Sequence, residues 1–197
     1  KIFGPGNAWV TAAKQLVSLD PECAACDLPA GPSEVLVIAD DSARPEFLAA
    51  DLLAQAEHSG DAQVTLVATT RELFRQVNEE LMRQVAMRRR RATIAASLVH
   101  ARAILVPDLE TAFEVSNRYA PEHLIIALDD PRAWLTRVTA AGSVFLGHWT
   151  PETLGDYCSG ANHVLPTYGY ARSISGLSLA DFTRRMTVQQ ATRQGLA

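Results

Sequence analysis

The sequence predicts an α/β protein with a doubly wound, mostly parallel, Rossmann-like sheet and helices on both faces. Short apolar, β-branched runs alternate along the chain with segments of helical period. The predicted strands are apolar at nearly every position, which is typical of parallel strands buried on both faces. Right-handed crossovers between such strands give a doubly wound layer. Ligands of such sheets collect beyond the carboxyl ends of the strands, so we expect a site at that edge.

The elements follow from apolar runs and from helical spacing. Strands are predicted at residues 35–39, 64–67, 103–106, 124–128 and 143–146. Helices are predicted at residues 8–19, 45–58, 71–87, 93–98, 109–119 and 132–140. After Gly147 the alternation stops, and residues 149–175 form a polar stretch without a long periodic segment. A loop of that length inside a compact domain is usually functional.

Composition bounds the class of protein. The chain has 197 residues, of which 48% are hydrophobic and 20% are charged, as in a soluble globular domain with a sizeable core. A net charge of −4 argues against a nucleic-acid or anionic-membrane partner, because phosphates demand a basic surface. No apolar stretch approaches the ~20 residues of a membrane helix, and no signal-peptide pattern is present.

The three cysteines favour a reducing compartment. An odd count does not suggest a disulfide framework, so the cytoplasm is the expected location. Cys23 and Cys26 have CxxC spacing without a second such pair. A redox or metal role and core packing in a short strand are both open, and we favour core packing.

The segment Gly4-Pro5-Gly6-Asn7 precedes the first predicted helix. Backbone N–H groups at a helix N-terminus can bind a phosphate. The GxGxxG fingerprint of dinucleotide-binding folds is absent, so a plain turn is the competing interpretation and is favoured on this segment alone.

Gln55 and His58 lie three residues apart near the end of the second predicted helix. That spacing places both side chains on one helix face, within reach of one ion. Gln is an unusual metal ligand, and a single helical His is more often a surface residue, so composition leaves the metal role open.

Glu122 and His123 follow Pro121 at a helix-to-strand junction. They could form an acid–base pair, because His titrates near neutrality and burial raises the pKa of Glu. The alternative is a helix-ending proline followed by two exposed polar residues.

Three further candidates precede the first strand or lie in the long polar loop. Asp156 could offset the charge of a divalent cation, although a loop Asp is often only a turn former. His163 ends the motif Ser159-Gly160-Ala161-Asn162-His163. Ser33 follows a stiff turn rich in Pro and Gly, and the absence of a GxSxG elbow argues against a hydrolase nucleophile.

Taken together, these motifs resemble the histidinol dehydrogenase family over essentially the whole chain. The order of the motifs is far more specific than any one of them. The matching stretches are KIFGPGN at 1–7, DLPAGPSEVLVIAD at 27–40, DLLAQAEH at 51–58, YAPEHL at 119–124, AGSVFLG at 141–147, GDY at 155–157 and SGANHVLPT at 159–167.

The resemblance implies a cytoplasmic, zinc-dependent homodimer that oxidises L-histidinol through histidinaldehyde to L-histidine and reduces two NAD. It implies zinc (Zn²⁺) ligands at Gln55, His58 and Asp156, completed by a His from the partner's C-terminal tail. Glu122 and His123 match the acid–base residues. Asn7 matches a cofactor contact, and the substrate-binding positions are Ser33, Gln55, His58, His123, Asp156 and His163.

The same resemblance implies a domain division and a truncation. Residues 1–28 match the trailing piece of a nucleotide-binding domain, 29–175 a Rossmann-like catalytic and zinc domain, and 176–197 the start of a helical tail. Family enzymes are about twice as long, so we expect this chain alone to bind NAD poorly. The alternatives are a truncated, non-catalytic module that binds zinc or a ligand or forms a dimer, and a relative that oxidises another alcohol.

Overall fold

A computed structural model describes residues 1–4, 6–161 and 163–196. Pro5 and Asn162, which the predicted turn and loop motifs contain, lie outside the described residues. The strands are β1 (Glu34–Ala39), β2 (Gln63–Ala68), β3 (Arg102–Leu105), β4 (His123–Ala127) and β5 (Ser143–Leu146). The helices are α1 (Ala8–Leu19), α2 (Pro45–Ala56), α3 (Arg71–Val85), α4 (Arg91–Leu98), α5 (Leu109–Tyr119), α6 (Pro131–Trp134) and α7 (Thr153–Tyr157).

The five strands form one parallel sheet in the order β3-β2-β1-β4-β5. The chain starts in the middle, winds outward to β3 and returns to the other side of β1, so the sheet is doubly wound as predicted. The neighbouring strands β1 and β4 are buried at every position, which explains their near-continuous apolar sequence. The edge strand β3 is largely exposed.

Apolar side chains pack on both faces of the sheet. One cluster includes Val35, Val37 and Leu53 and places α2 and α3 against the sheet. The other includes Leu36, Ile38 and Phe113 and places α5 against the opposite face. Successive residues of β1 point alternately into these two clusters, because side chains alternate across a strand.

One predicted helix is wrong in length. Residues 132–140 form only the four-residue α6 followed by the 3₁₀ turn Leu135–Arg137. Asp130 caps α6 through the Ala133 N–H, and Pro131 begins it. Val138 adopts an extended backbone conformation and ends the helical run, as a β-branched residue permits.

The other predicted elements match the structure or differ from it by one or two residues at an end. Residues 176–196 contain the 3₁₀ turns Leu179–Phe182 and Gln194–Leu196. Cys26 makes an isolated bridge with Ile2 and is half-buried, and Cys23 is exposed, so the predicted core packing of this pair is wrong. Within the described parts of the chain, no helix combines the length and apolarity that a membrane crossing needs.

The N-terminal segment is fixed to the domain by a buried ion pair. Lys14 Nζ lies 2.6 Å from Asp27 Oδ1, and Asp27 also accepts a hydrogen bond from the Gly4 N–H. Thr11 donates to the carbonyl of Ala30. These contacts hold α1 against the turn that leads into β1, so the start of α1 lies beside that turn.

We expect Phe113→Ala to lower the free energy of unfolding by about 3–5 kcal/mol, because a buried aromatic side chain is lost and a cavity remains. Phe113 is 2% exposed and stacks on Trp134 with ring centroids 5.3 Å apart. Denaturant unfolding of the full chain measures the change. Met82→Ala, at an exposed position of α3, is the control and changes stability by less than about 0.5 kcal/mol. Equal effects of the two variants would contradict this account of the core.

Candidate active site

The candidate site lies at the amino edge of the sheet, so the predicted position beyond the carboxyl ends is wrong. Ser33 directly precedes β1, Glu122 directly precedes β4, and His123 is the first residue of β4. His58 follows the C-terminal end of α2, which the crossover brings back to the same edge. Residues before parallel strands meet at the edge where the strands begin, which is why these side chains converge there.

A cavity of about 320 Å³ collects five of the eight predicted site residues. They come from the N-terminal turn, the turn before β1, the end of α2, the start of β4 and the loop after β5. The five are Asn7, Ser33, His58, Glu122 and His163. Of the remaining three, Gln55 and His123 are buried and do not line the cavity, and Asp156 is exposed on α7.

Two close backbone contacts shape the cavity wall. A Cβ on Gly31, which has a φ of 96°, would lie 2.0 Å from the carbonyl oxygen of Gly6. Only glycine therefore allows the N-terminal turn to approach the turn before β1 so closely. Gly142 is similar, because a Cβ there would lie 2.6 Å from the Glu122 carbonyl oxygen.

The carboxyl of Glu122 is held by the start of β1. Its Oε2 accepts a hydrogen bond from the Glu34 N–H at 2.8 Å, and the Ser33 side chain also hydrogen-bonds to it. Burial raises the pKa of Glu122 to about 8, and the negative charges of Glu34 and Asp156 add to that effect against the two hydrogen bonds. The carboxyl can therefore exchange a proton near neutral pH.

His123 is buried and oriented by the same backbone. Its Nδ1 lies 3.0 Å from the Glu34 carbonyl oxygen, which can only accept a hydrogen bond. We therefore assign the proton to Nδ1, which leaves Nε2 with a free lone pair. Burial lowers the pKa of His123, partly against the Glu34 hydrogen bond and the charge of Asp156, so the ring is a neutral base at pH 7.

The loop that carries His163 is hydrogen-bonded to the turn before β1 and to the first residue of β1. Thr167 is fully buried, and its hydroxyl accepts from the Gly31 N–H at 3.0 Å. The Tyr168 N–H donates to Glu34 Oε1 at 3.0 Å. These bonds hold the polar stretch after β5 beside the cavity. The stretch is long enough to reach from the end of β5 back to the turn before β1.

Gln55, His58 and Asp156 offer oxygen and nitrogen donors suited to a divalent cation. The Gln55 side chain is 1% exposed, and neither amide atom has a hydrogen-bond partner within the described residues. A buried amide without partners is costly unless a ligand satisfies it. His58 lines the cavity, and Asp156 is an exposed residue of α7.

His58 and Asp156 alone offer too few ligands for a metal, so the proposed set of three needs the Gln55 amide oxygen. No group of three or more His, Cys, Asp and Glu side chains could hold a metal within the part of the chain that the structure describes. His58 and Asp156 supply two ligands of those types, and the Gln55 amide oxygen would be the third. A set of one nitrogen and two oxygens is compatible with zinc that keeps positions open for a substrate.

Sequence reasoning missed three carboxyls, of which Glu34 and Glu152 are buried and Asp51 is half-buried. Glu152 Oε1 lies 3.9 Å from His123 Nδ1, and the Glu152 N–H donates to Asp51 Oδ1 at 3.3 Å. Burial raises the pKa of all three, to about 6 for Asp51 and about 8 for Glu152. Glu34 is adjacent to the predicted Ser33 and Asp51 begins the stretch 51–58, but no sequence signal marks Glu152.

Comparison with known proteins places these residues in a family. The family model described as histidinol dehydrogenase matches residues 1–197. Curated histidinol dehydrogenases from Shewanella oneidensis and Xylella fastidiosa (strain Temecula1) are 58% and 57% identical over the whole chain. The chain spans 45% and 46% of their lengths, about half of each relative.

Solved structures agree with the sequence relatives. The crystal structure of histidinol dehydrogenase from Elizabethkingia anophelis is 48% identical with a TM-score of 0.92, covering 99% of this chain and 45% of that one. An engineered glycolyl-CoA reductase with bound NADP⁺ is 14% identical with a TM-score of 0.52, covering 91% of this chain and 53% of that one, which shows a shared fold alone. The match over every residue, at more than half identity to curated relatives, means that the chain belongs to the histidinol dehydrogenase family.

Proposed function

We propose that the protein containing this chain oxidises L-histidinol to L-histidine through histidinaldehyde, with reduction of two NAD. The observation that carries the proposal is the wall of one cavity, where the buried carboxyl of Glu122 lies next to the buried imidazole of His123. Relatives named histidinol dehydrogenase that share more than half of the residues support the substrate. A biosynthetic enzyme of this kind would act in the cytoplasm.

In the alcohol step, Nε2 of His123 takes the hydroxyl proton as hydride leaves the adjacent carbon. The ring is suited to this because Nδ1–H is fixed on the Glu34 carbonyl and burial keeps the imidazole neutral. NAD, when bound, supplies the hydride acceptor. Asn7 lines the same cavity and is the contact that we assign to that cofactor.

In the aldehyde step, Glu122 removes a proton from the attacking water. Its raised pKa makes the ionised carboxylate a stronger base than an ordinary Glu. Ser33 and the Glu34 N–H hold this carboxyl in place, and Ser33 and His163 also lie on the cavity wall where the substrate binds. The two steps therefore use two different bases, Glu122 on the cavity wall and His123 buried beside it.

Zinc would be held by Gln55, His58 and Asp156, which would contact the substrate through the metal, with a further His from the tail of a partner in a homodimer. When bound, zinc supplies a Lewis acid that orients the substrate's imidazole and amine nitrogens. The Gln55 amide, buried and without a partner within the described residues, supports this assignment. The proposed domain division assigns residues 1–28 to a nucleotide-binding domain, 29–175 to the catalytic and zinc domain, and 176–197 to the tail.

We expect His58→Ala in the full chain to weaken zinc binding by more than about 100-fold, because loss of a ligand exceeds the 10–100-fold typical of outer partners. Competition with a chromophoric chelator measures the affinity without any need for turnover. The matched control is His148→Ala, since His148 lies outside the cavity and pairs with Asp129. Unchanged zinc affinity in His58→Ala would rule out this ligand set.

We expect Glu122→Gln to slow oxidation of histidinaldehyde by about 10²–10⁴-fold, because the base for water attack is lost. The first hydride transfer from histidinol should remain, since His123 serves that step. Stopped-flow absorbance of NADH separates the two steps as a burst followed by slow turnover. Glu110→Gln, which removes an exposed carboxylate paired with Arg137, is the control and leaves both steps unchanged. Equal loss of both steps in Glu122→Gln would contradict the division of roles.

A further inference from the structure

Glu152 is a buried carboxyl beside the catalytic imidazole to which the proposed mechanism gives no task. It precedes α7, and its side chain is nearly as buried as that of His123. Oε1 lies 3.9 Å from His123 Nδ1, and Oε2 is buried without a hydrogen-bond partner within the described residues. Burying a carboxyl in this way is costly, so its position calls for an explanation.

We propose that Glu152 is a positioning residue that acts through His123, its carboxylate stabilising the imidazolium that forms when His123 takes the substrate's hydroxyl proton. The inference rests on the proposed function. The proton moves from the alcohol oxygen to Nε2, and Nδ1 keeps its own proton on the Glu34 carbonyl. The ring thereby gains one positive charge next to one negative charge, and no other bond at His123 changes.

Glu122 is the nearer carboxyl, with Oε2 at 3.5 Å from Nδ1, but it is already engaged. That oxygen accepts the Glu34 N–H, and the carboxyl lies on the cavity wall where water must be activated. Glu152 does not line the cavity, so its charge serves only the ring and its neighbours. Glu122 is thus the base that activates water, and Glu152 is the anionic partner of His123.

Burial and the neighbouring charges determine the pH at which Glu152 ionises. Burial is the main cause that raises its pKa to about 8, followed by the negative charges of Asp51 on α2, Asp156 on α7 and Glu122. His123 in turn is affected by Asp156 and His58. The anionic partner is therefore present above about pH 8 and is lost below it. Asp51, half-buried beside a second cavity, tunes that point.

The experiment follows the first hydride transfer in the full-length protein that contains this chain, carrying Glu122→Gln, so that the other carboxyl cannot contribute. We expect the burst rate of NADH to rise with pH as Glu152 ionises, with a midpoint below pH 8, because Glu122→Gln removes one of the negative charges that raise the pKa of Glu152 to about 8. Adding Glu152→Gln should abolish that rise and lower the rate at high pH on the order of tenfold, with KM for histidinol unchanged. Adding Asp51→Asn should instead move the rise to lower pH, because a negative neighbour is removed.

Asp129→Asn is the matched control, since it neutralises an exposed carboxylate near the second cavity without contact to His123. It should leave the profile unchanged. A Glu152→Gln variant with the parent's rate and pH profile would overturn the proposal. Glu152→Asp, which keeps the carboxylate, should restore part of the rise if the charge is what matters. Loss of the rise in both variants would assign Glu152 a purely structural role and also overturn the proposal.

A second measurement separates this proposal from the function on which it rests. The ring ¹⁵N shifts of His123 should show an inflection near pH 8 that disappears in Glu152→Gln. If the unsubstituted full-length protein that contains this chain makes no NADH from histidinol, the proposed function fails, and the ¹⁵N titration of His123 alone tests the coupling. An unchanged inflection in Glu152→Gln would then overturn the coupling of the two groups.

Discussion

The backbone of Glu34 is the constraint on which the site depends. Its N–H binds Glu122 and its carbonyl binds His123, residues 88 and 89 positions further along the chain. Both bonds come from the first residue of a buried strand, so they are fixed by the pairing of β1 with β4 in the register Val35↔His123. The geometry of the two proposed bases is therefore a consequence of sheet register. A slip of one residue would move both side chains to the opposite face.

The buried ionisable groups of the site destabilise the fold less because their neutral forms are favoured. Burial raises the pKa of Glu34, Glu122 and Glu152 and lowers that of His123. Each shift favours the neutral form, so the fold buries few net charges near neutral pH. The same shifts bring the groups into the range where a proton can be gained or lost during turnover. The same pKa shifts thus reduce the cost of burying these groups and place them where they can exchange protons.

Much of the fold could be predicted, because apolar runs and helical spacing are local signals that burial enforces. The predicted 132–140 helix is too long because the Arg137 carbonyl and the Thr139 N–H bond to the Asn117 side chain on α5, a contact that no local pattern records. The edge of the site could have been predicted, since Ser33 and Glu122 stand directly before strands. Asp51 and Glu152 could not, because their role depends on contacts 101 residues apart. The residue types and spacing around them are those of ordinary surface acids.

The capping of α1 decides what Asn7 can offer a ligand. Its Oδ1 accepts the N–H groups of Trp9 and Val10, as an N-cap residue does. The amide nitrogen is then the group that Asn7 can present to the cavity, so it can donate to a carbonyl or phosphate oxygen. The Lys14–Asp27 ion pair and the glycine at 31 hold this cap against the turn before β1. The N-terminal segment is thus a wall of the candidate active site, and helix capping fixes which polar group of Asn7 is left for a ligand.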